Sequence, residues 1–415
     1  MPITMKPLLL AGLFGLGTAA AVAMNLVVEP IPHTPMANPP QSLPADPVTV
    51  HQPHGHILHP NQRPQVEVVF VLDTTSSMSG LIDAAKNNIW SIASSMASAD
   101  PEPDMRMGLV AFRDRGDAYV TWALDLSQDL DAMYLALSNF KAQGGGDGPE
   151  SVNAALHAAV NNMAWSQDEQ TYKVIFLVGD APPHMDYADE PQYPAIIEQA
   201  RAKGIVVNCI QAGNQADTRK VWQQIASLNQ GEFFQVEQGG NAIAVTTPFD
   251  EQIARLSREL DATKLFYGSE EKRQRLQEKE KASRQLFASV PASVQAKRAE
   301  YNTKAAGADN LFADSELVED VASGRVELDA VPEQSLPEPL LGLDKDERKK
   351  QVQQTAEKRQ QLQAEIAELG KQRQAYIAAQ LKSDDVAQSL DGKIYEAIRS
   401  QAGSKGLQYE SGPSF

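Results

Sequence analysis

Two runs of largely apolar, β-branched residues constrain the fold of this chain more than any other feature of its sequence. Residues 66–72 (VEVVFVL) and 174–178 (VIFLV) have the composition of strands that are buried on both faces. Helical patterns lie between the strands, and residues 82–96, for example, repeat apolar positions at helix spacing. This alternation predicts an α/β fold with a doubly wound, mostly parallel sheet and helices on both faces. Further strands are predicted at residues 107–112, 118–124, 205–210 and 232–236.

The polar loop after the first buried strand carries a set of oxygen donors. In residues 73–78 (DTTSSM), the alternate positions Asp73, Thr75 and Ser77 provide one carboxylate and two hydroxyls. Ligands of doubly wound sheets bind beside the carboxyl ends of strands, and we expect a strand-to-helix turn to point these side chains into one pocket. Oxygen donors alone suit Mg²⁺, Mn²⁺ or Ca²⁺. Taken by itself, the loop also fits a helix N-cap with a polar turn.

Two further loops carry acidic residues at the ends of predicted elements. Asp180 follows the second buried strand, in the segment 179–184 (GDAPPH). The glycine-rich loop 144–150 (GGGDGPE) carries Asp147 and Glu150 and leads into a helix. Its glycines permit positive φ and close approach of the backbone. Both acids also suit the first turn of a helix, so capping is an alternative role for them.

The loop 73–78, the glycine loop and the later Gly-Asp pair, in this order on an α/β sheet, resemble a von Willebrand factor type A domain. The resemblance spans about residues 64–261, and we assign the domain to residues 65–261. Members from the bacterial cell envelope are similar also in the segments 112–114 (FRD) and 179–184. The resemblance implies a module that binds a protein partner.

The same resemblance implies a metal-ion-dependent adhesion site with Mg²⁺, or Mn²⁺ or Ca²⁺, as the cofactor. By analogy with the family, Thr75 and Ser77 bind the cation directly, while Asp73 and Asp180 bind it directly or through water. An acidic side chain of the partner would complete the octahedron.

The sequence departs from the family pattern at two positions. Thr75 stands where serine is usual, which keeps the hydroxyl donor, and the glycine loop has no threonine. Asp147 or Glu150 must then take the place of that ligand, or a water molecule does. Additional acid near the cation lowers its residual positive charge, so the pattern favours a cation with a structural role or a less acidic ligand.

The N-terminal part of the chain is predicted to export and tether the domain. Residues 1–28 contain a long apolar run with a small-x-small pattern and form a signal peptide or a membrane anchor. Residues 29–64 are a proline-rich, extended linker. The linker also contains a tract of imidazoles that could bind Zn, Cu or Ni, or could simply be polar. These histidines are His51, His54, His56 and His59.

Residues 262–415 are predicted to be helical and partly coiled coil. Residues 270–297 form a polar helix that is broken near Pro291, and a long helix begins after the Asp344/Glu347 pair. The apolar residues of the long helix fit an a/d pattern only in part, so it forms a hairpin, a weak coiled coil that self-associates, or a solvated stalk. Arg359 and Arg373 interrupt this pattern.

The composition limits the partners and the chemistry of the chain. The 415 residues carry a net charge of −17, which argues against nucleic-acid binding and against electrostatic attachment to anionic lipid. A single cysteine excludes an intrachain disulfide. No nucleophile elbow or phosphate loop of the Walker type occurs, so we expect a binding protein of the cell envelope rather than an enzyme. A metal-handling protein that uses the histidine tract and a metal-dependent hydrolase are the alternatives.

Overall fold

The computed structural model describes residues 63–146, 148–241, 243, 245–312, 315–410 and 412–415. The predictions for residues 1–28, for the linker up to residue 62 with His51, His54, His56 and His59, and for Asp147 therefore concern residues outside the described ones. Within the described ranges, no helix combines the length and the apolar composition that crossing a membrane requires.

Six strands form one sheet in the order β3-β2-β1-β4-β5-β6. Five of them run parallel, and β3 at one edge pairs with β2 in the antiparallel sense. The chain passes from β1 to one side of the sheet and returns to the other side through β4, so the strand order switches between β1 and β4. The strands are β1 (Gln65–Asp73), β2 (Asp104–Phe112), β3 (Thr121–Ser127), β4 (Tyr172–Gly179), β5 (Ile205–Ala212) and β6 (Phe233–Val236).

Six helices accompany the strands, and the mostly parallel α/β fold is as predicted. Alternation along β1 separates two cores: Val66 and Val68 lie in one, while Val69 and Val71 lie in the other. Both faces of the sheet are therefore covered, as the apolar strand composition indicates. The helices are α1 (Ser79–Met96), α2 (Leu130–Asn139), α3 (Val152–Asn161), α4 (Tyr193–Ala202), α5 (Ala216–Ser227) and α6 (Asp250–Asp261).

The region that follows is helical, also as predicted. Its longest helix, α11, has 36 residues and begins with a complete capping box between Asp344 and Glu347. The helix predicted over residues 270–297 is interrupted at Val290 and Pro291. The helices are α7 (Glu270–Ser289), α8 (Ala292–Asn302), α9 (Ala305–Phe312), α10 (Leu317–Ala322), α11 (Lys345–Gln380), α12 (Ser383–Gln388) and α13 (Leu390–Gln401).

Helix α13, near the end of the chain, completes one face of the sheet. Leu390, Ile394 and Ile398 belong to the same buried cluster as Phe176 of β4 and Ile210 of β5. The last helix before the C-terminal region, α6, instead turns its apolar stripe toward α8 and α11. The core on one face of the sheet therefore includes residues of α13, which begins about 130 positions after the end of α6.

Buried ion pairs hold the long helix α11 against the rest of the molecule. Arg359 donates two hydrogen bonds of 2.7 Å to Glu316, and Arg373 contacts Asp250 at 2.8 Å. Both arginines interrupt the apolar pattern of α11, and each fills a buried position where its charge has a partner. Near the end of the chain, Gln408 pairs with Asp100 through the backbone.

Candidate functional site

The three donors of the loop after β1 lie together at the carboxyl end of the strand. Asp73 is fully buried, and its Oδ1 accepts hydrogen bonds from the Thr75 amide at 2.9 Å and the Thr75 hydroxyl at 2.7 Å. The Thr75 hydroxyl lies 3.4 Å from that of Ser77, which is exposed. The 3-10 turn at Ser76–Met78 that leads into α1 brings the alternate side chains to one side.

The second carboxylate oxygen of Asp73 has no hydrogen-bond partner, although it is buried. Burial is the main reason that the pKa of Asp73 rises from its usual 3.8 to about 7, and the nearby Asp180 raises it further. A buried oxygen without a partner costs free energy unless something binds it. The structure therefore places an unsatisfied acceptor at the predicted metal edge.

Asp180 follows β4, the strand next to β1, and is held by a glutamine that the sequence did not indicate. The amide nitrogen of Gln238 donates to Asp180 Oδ2 at 2.8 Å and to the Ser77 carbonyl at 3.2 Å. Gln238 lies in the loop after β6, where the sequence motifs indicated no site residue. Since β6 is parallel to β5, its carboxyl end also reaches this edge. That topology was the only indication that Gln238 could reach the site.

The glycine loop closes over the donors from the side of α3. Gly144 and Gly145 have positive φ, at 79° and 73°, and the Ser76 amide donates to the Gly144 carbonyl at 3.2 Å. A Cβ on Gly145 would lie 3.0 Å from Thr75 and 3.0 Å from Glu150. Glycine is thus needed here both for backbone conformation and for close approach. The Gly145 amide is bound in turn by Asp117 at 3.0 Å.

Glu150 reaches the same edge, as one of the two acids proposed to replace the missing threonine. It is 3% exposed, and its Oε2 has no hydrogen-bond partner. Burial, and then the charges of Asp73, Asp114, Asp117 and Asp180, raise its pKa to about 9. Without a cation, Glu150 is therefore a neutral carboxylic acid at pH 7.

His184 lies on the rim of this edge and is buried. The ring is 5% exposed and stacks on Tyr187 with centroids 4.1 Å apart. Its two nitrogens contact Asp114 at 3.3 Å and Asp186 at 2.8 Å. Asp114 also accepts a hydrogen bond from Ser151, next to Glu150, at 2.8 Å. This group fixes the loops on one side of the candidate site.

The donor set at this edge fits a hard divalent cation. Among the described residues, no group of three or more His, Cys, Asp and Glu side chains is arranged to hold a metal ion. The candidate set is of a different kind, because the hydroxyls of Thr75 and Ser77 supply two of its oxygen donors in place of carboxylates. At this edge Asp73 and Glu150 each have one buried carboxylate oxygen without a hydrogen-bond partner. Oxygen donors of this kind match the preference of Mg²⁺.

This region matches one family model and is similar to several solved structures. Residues 67–247 match the model of the von Willebrand factor A domain. Similar solved structures include the SpRpn10 VWA domain, with 11% identity, a TM-score of 0.33, and coverage of 42% of this chain and 89% of that chain. Proximal thread matrix protein 1 (PTMP1) from the mussel byssus shares 17% identity, with a TM-score of 0.33 and coverage of 42% of each chain. No curated protein matches the sequence.

Domains of this type generally serve as protein-interaction modules.

Proposed function

We propose that the edge formed by Asp73, Thr75, Ser77 and Asp180 holds a divalent cation through which the chain binds a protein partner. The observation that carries the proposal is the Asp73 carboxylate, which is buried, accepts a hydrogen bond from the Thr75 hydroxyl and has one oxygen without a partner. A cation at this position would satisfy that oxygen and offset the clustered negative charge. The match of residues 67–247 to an interaction domain supports a binding role.

Each residue has a distinct part in this proposal. Thr75 and Ser77 hold the cation through their hydroxyls, and Asp73 and Asp180 hold it directly or through water. The bound cation supplies positive charge for an oxygen ligand of the partner. Glu150 sets the strength of that attraction, because it is neutral while protonated and cancels part of the cation's charge once it ionises. The proposal includes no chemical reaction.

Thermal unfolding with and without Mg²⁺ tests the cation site. A ligand that binds only the folded chain raises its stability, by about 2.7 kcal/mol at one hundred times the dissociation constant. We expect Mg²⁺ to raise the melting temperature of the natural chain, and we expect Asp73→Asn and Asp180→Asn to abolish that rise. Asp83→Asn, an exposed acid on α1, is the control and should respond like the natural chain. An equal rise in all four proteins would refute the site.

Capture of partners from an envelope extract tests the binding role. The natural chain should retain a protein in Mg²⁺ that is released by a chelator, and Asp73→Asn should retain none. If Asp73→Asn still binds Mg²⁺-dependent partners, the cation edge is not the binding surface. Retention that no chelator reverses would also contradict the proposal.

For the location of the chain we propose export, with residues 1–28 as a cleaved signal or as an anchor. The apolar run followed by a proline-rich stretch supports this proposal. Cell fractionation together with mass spectrometry of the mature N-terminus distinguishes the two forms. Recovery of the complete chain from the cytoplasm would contradict export.

A further inference from the structure

A polar cavity lies at the end of the sheet opposite the candidate functional site, beside the amino ends of β4 and β5. Its volume is about 620 Å³. Four cationic side chains line it, although the chain as a whole carries a charge of −17. They come from β4, from the end of α4 and from the segment after α13, and they are Lys173, Arg201, Lys203 and Lys405.

Two of these lysines neutralise the ends of helices. Lys203 donates to the Val160 carbonyl at 2.8 Å and to Asn161 at 2.9 Å, at the C-terminus of α3. Lys173 donates to the carbonyl of Lys203 at 3.3 Å, just after α4 ends. The negative ends of both helices are therefore capped.

The four side chains keep donors that no described group uses. Lys173 is 6% exposed, yet its ammonium makes one hydrogen bond to the protein and has two further N–H groups. Lys405 likewise uses one, to the carbonyl of Glu169. Arg201 contacts only Glu198, at 3.8 Å between exposed side chains. The cavity thus presents several charged donors from separate elements.

The acidic groups near the cavity offset only part of this charge. Glu67 faces Lys173 across the strands, but its oxygens are bound by Arg106 and by the Ser166 amide at 2.8 Å. Asp168 also acts on Lys173, while its carboxylate accepts from the Gln170 amide at 2.9 Å. Glu169 is the one carboxylate that lines the cavity, and it is exposed.

We propose that this cavity binds a phosphate group, carried either by a small phosphorylated molecule or by a lipid headgroup. The oxygens of a phosphate accept hydrogen bonds from several directions, which suits ammonium and guanidinium donors on different elements. The volume exceeds that of one phosphate and lies in the range of small-molecule pockets, so it leaves room for the attached group. Trp165 and Met163, both mostly buried, form an apolar wall for that group. The site is independent of the proposed cation edge.

Titration of the full chain with inorganic phosphate, in the absence of divalent cations, tests the proposal. We expect calorimetric binding and a rise in melting temperature that sodium chloride of equal ionic strength does not produce. The double variant Arg201→Gln/Lys405→Gln should bind at least about tenfold more weakly, because two charge-assisted contacts are lost. Both side chains lie toward the surface, so the variant should fold. Lys220→Gln, an exposed lysine of α5, is the control and should bind like the natural chain.

Sedimentation with vesicles separates the two sources of the phosphate. Binding to phosphatidylglycerol vesicles but not to phosphatidylcholine vesicles, with loss in the double variant, identifies a headgroup. Binding of free phosphate with no preference between the vesicles identifies a small molecule. The proposal is overturned if neither probe binds, or if the double variant binds as well as the natural chain.

Discussion

Asp73 and Glu150 keep their protons at pH values where exposed carboxyl groups have lost theirs. Burial raises the pKa of Asp73 to about 7 and that of Glu150 to about 9. A cation bound at this edge must displace those protons, because it binds the ionised oxygens. Cation binding is therefore coupled to proton release. Because Asp73 and Glu150 have different pKa values, the pH dependence of binding distinguishes the two acids.

The first prediction concerns the pH dependence of Mg²⁺ affinity. Below pH 7 both acids hold protons that compete with the cation, so affinity should rise up to about tenfold per pH unit as Asp73 ionises. If Glu150 contacts the cation or its water, affinity should continue to rise toward pH 9. Calorimetry at pH 6, 7, 8 and 9 measures this. In Glu150→Gln the rise should stop near pH 7, and a flat profile in the natural chain would contradict the role of Asp73.

The second prediction concerns Gln238, which holds both Asp180 and the backbone of Ser77. Groups that orient metal ligands typically contribute tenfold to a hundredfold to metal affinity. Gln238→Ala should therefore weaken Mg²⁺ binding by at least about tenfold while the melting temperature without Mg²⁺ stays nearly constant, because the side chain is exposed. Gln224→Ala, at an exposed position of α5, serves as the control. Unchanged affinity in Gln238→Ala would show that Asp180 needs no support.

At the scale of single elements, buried charged side chains join the helices of the C-terminal region to one another and to the sheet domain. Arg359 of α11 binds Glu316 before α10, and Arg298 of α8 binds Asp131 of α2 and Asp261 of α6. All are buried, so each charge depends on its partner. The Asp261 carboxylate has its pKa lowered to about 2, because the attraction of Arg298 and Lys264 outweighs the effect of burial.

The third prediction is the cost of breaking one of these pairs. Arg359→Met should lower the free energy of unfolding by about 3–5 kcal/mol, because Glu316 is left buried without its counter-charge. Urea unfolding measures the loss. Adding Glu316→Gln should restore part of the stability, since the unpaired charge is then gone. If the double variant is less stable than Arg359→Met, hydrogen bonds rather than charge hold this contact.

Local patterns were sufficient to predict most elements of the sheet domain. The apolar runs predicted β1 and β4, and the parallel topology brought Asp73 and Asp180 to neighbouring strand ends, as expected. The buried arginines of α11 were missed because sequence patterns assign charged residues to the surface. Gln238 was missed because an amide in a loop has no periodic signal. The burial of His184 was missed because its partner Asp114 comes from a different loop, after β2.

At the scale of the whole molecule, the sheet depends on a helix from the end of the chain. Ile394 and Ile398 of α13 share a buried cluster with Val174 and Phe176 of β4. No local pattern could predict this contact, because it joins residues more than 200 positions apart and arises only in the folded chain. The sheet and the C-terminal helices should therefore unfold together.

The fourth prediction follows from that shared core. Ile394 is 2% exposed, so Ile394→Asp buries a charge against the sheet and should cost at least about 3 kcal/mol. The unfolding midpoint of Ile394→Asp should fall to the same denaturant concentration in far-UV circular dichroism and in tryptophan fluorescence. The fluorescence reports on the sheet, because Trp90 of α1 and Trp222 of α5 lie in its two cores. Glu396→Gln, exposed on the same helix, should leave both curves unchanged. If the far-UV signal of Ile394→Asp falls earlier while tryptophan fluorescence keeps the natural midpoint, the sheet folds without α13 and the two parts are independent.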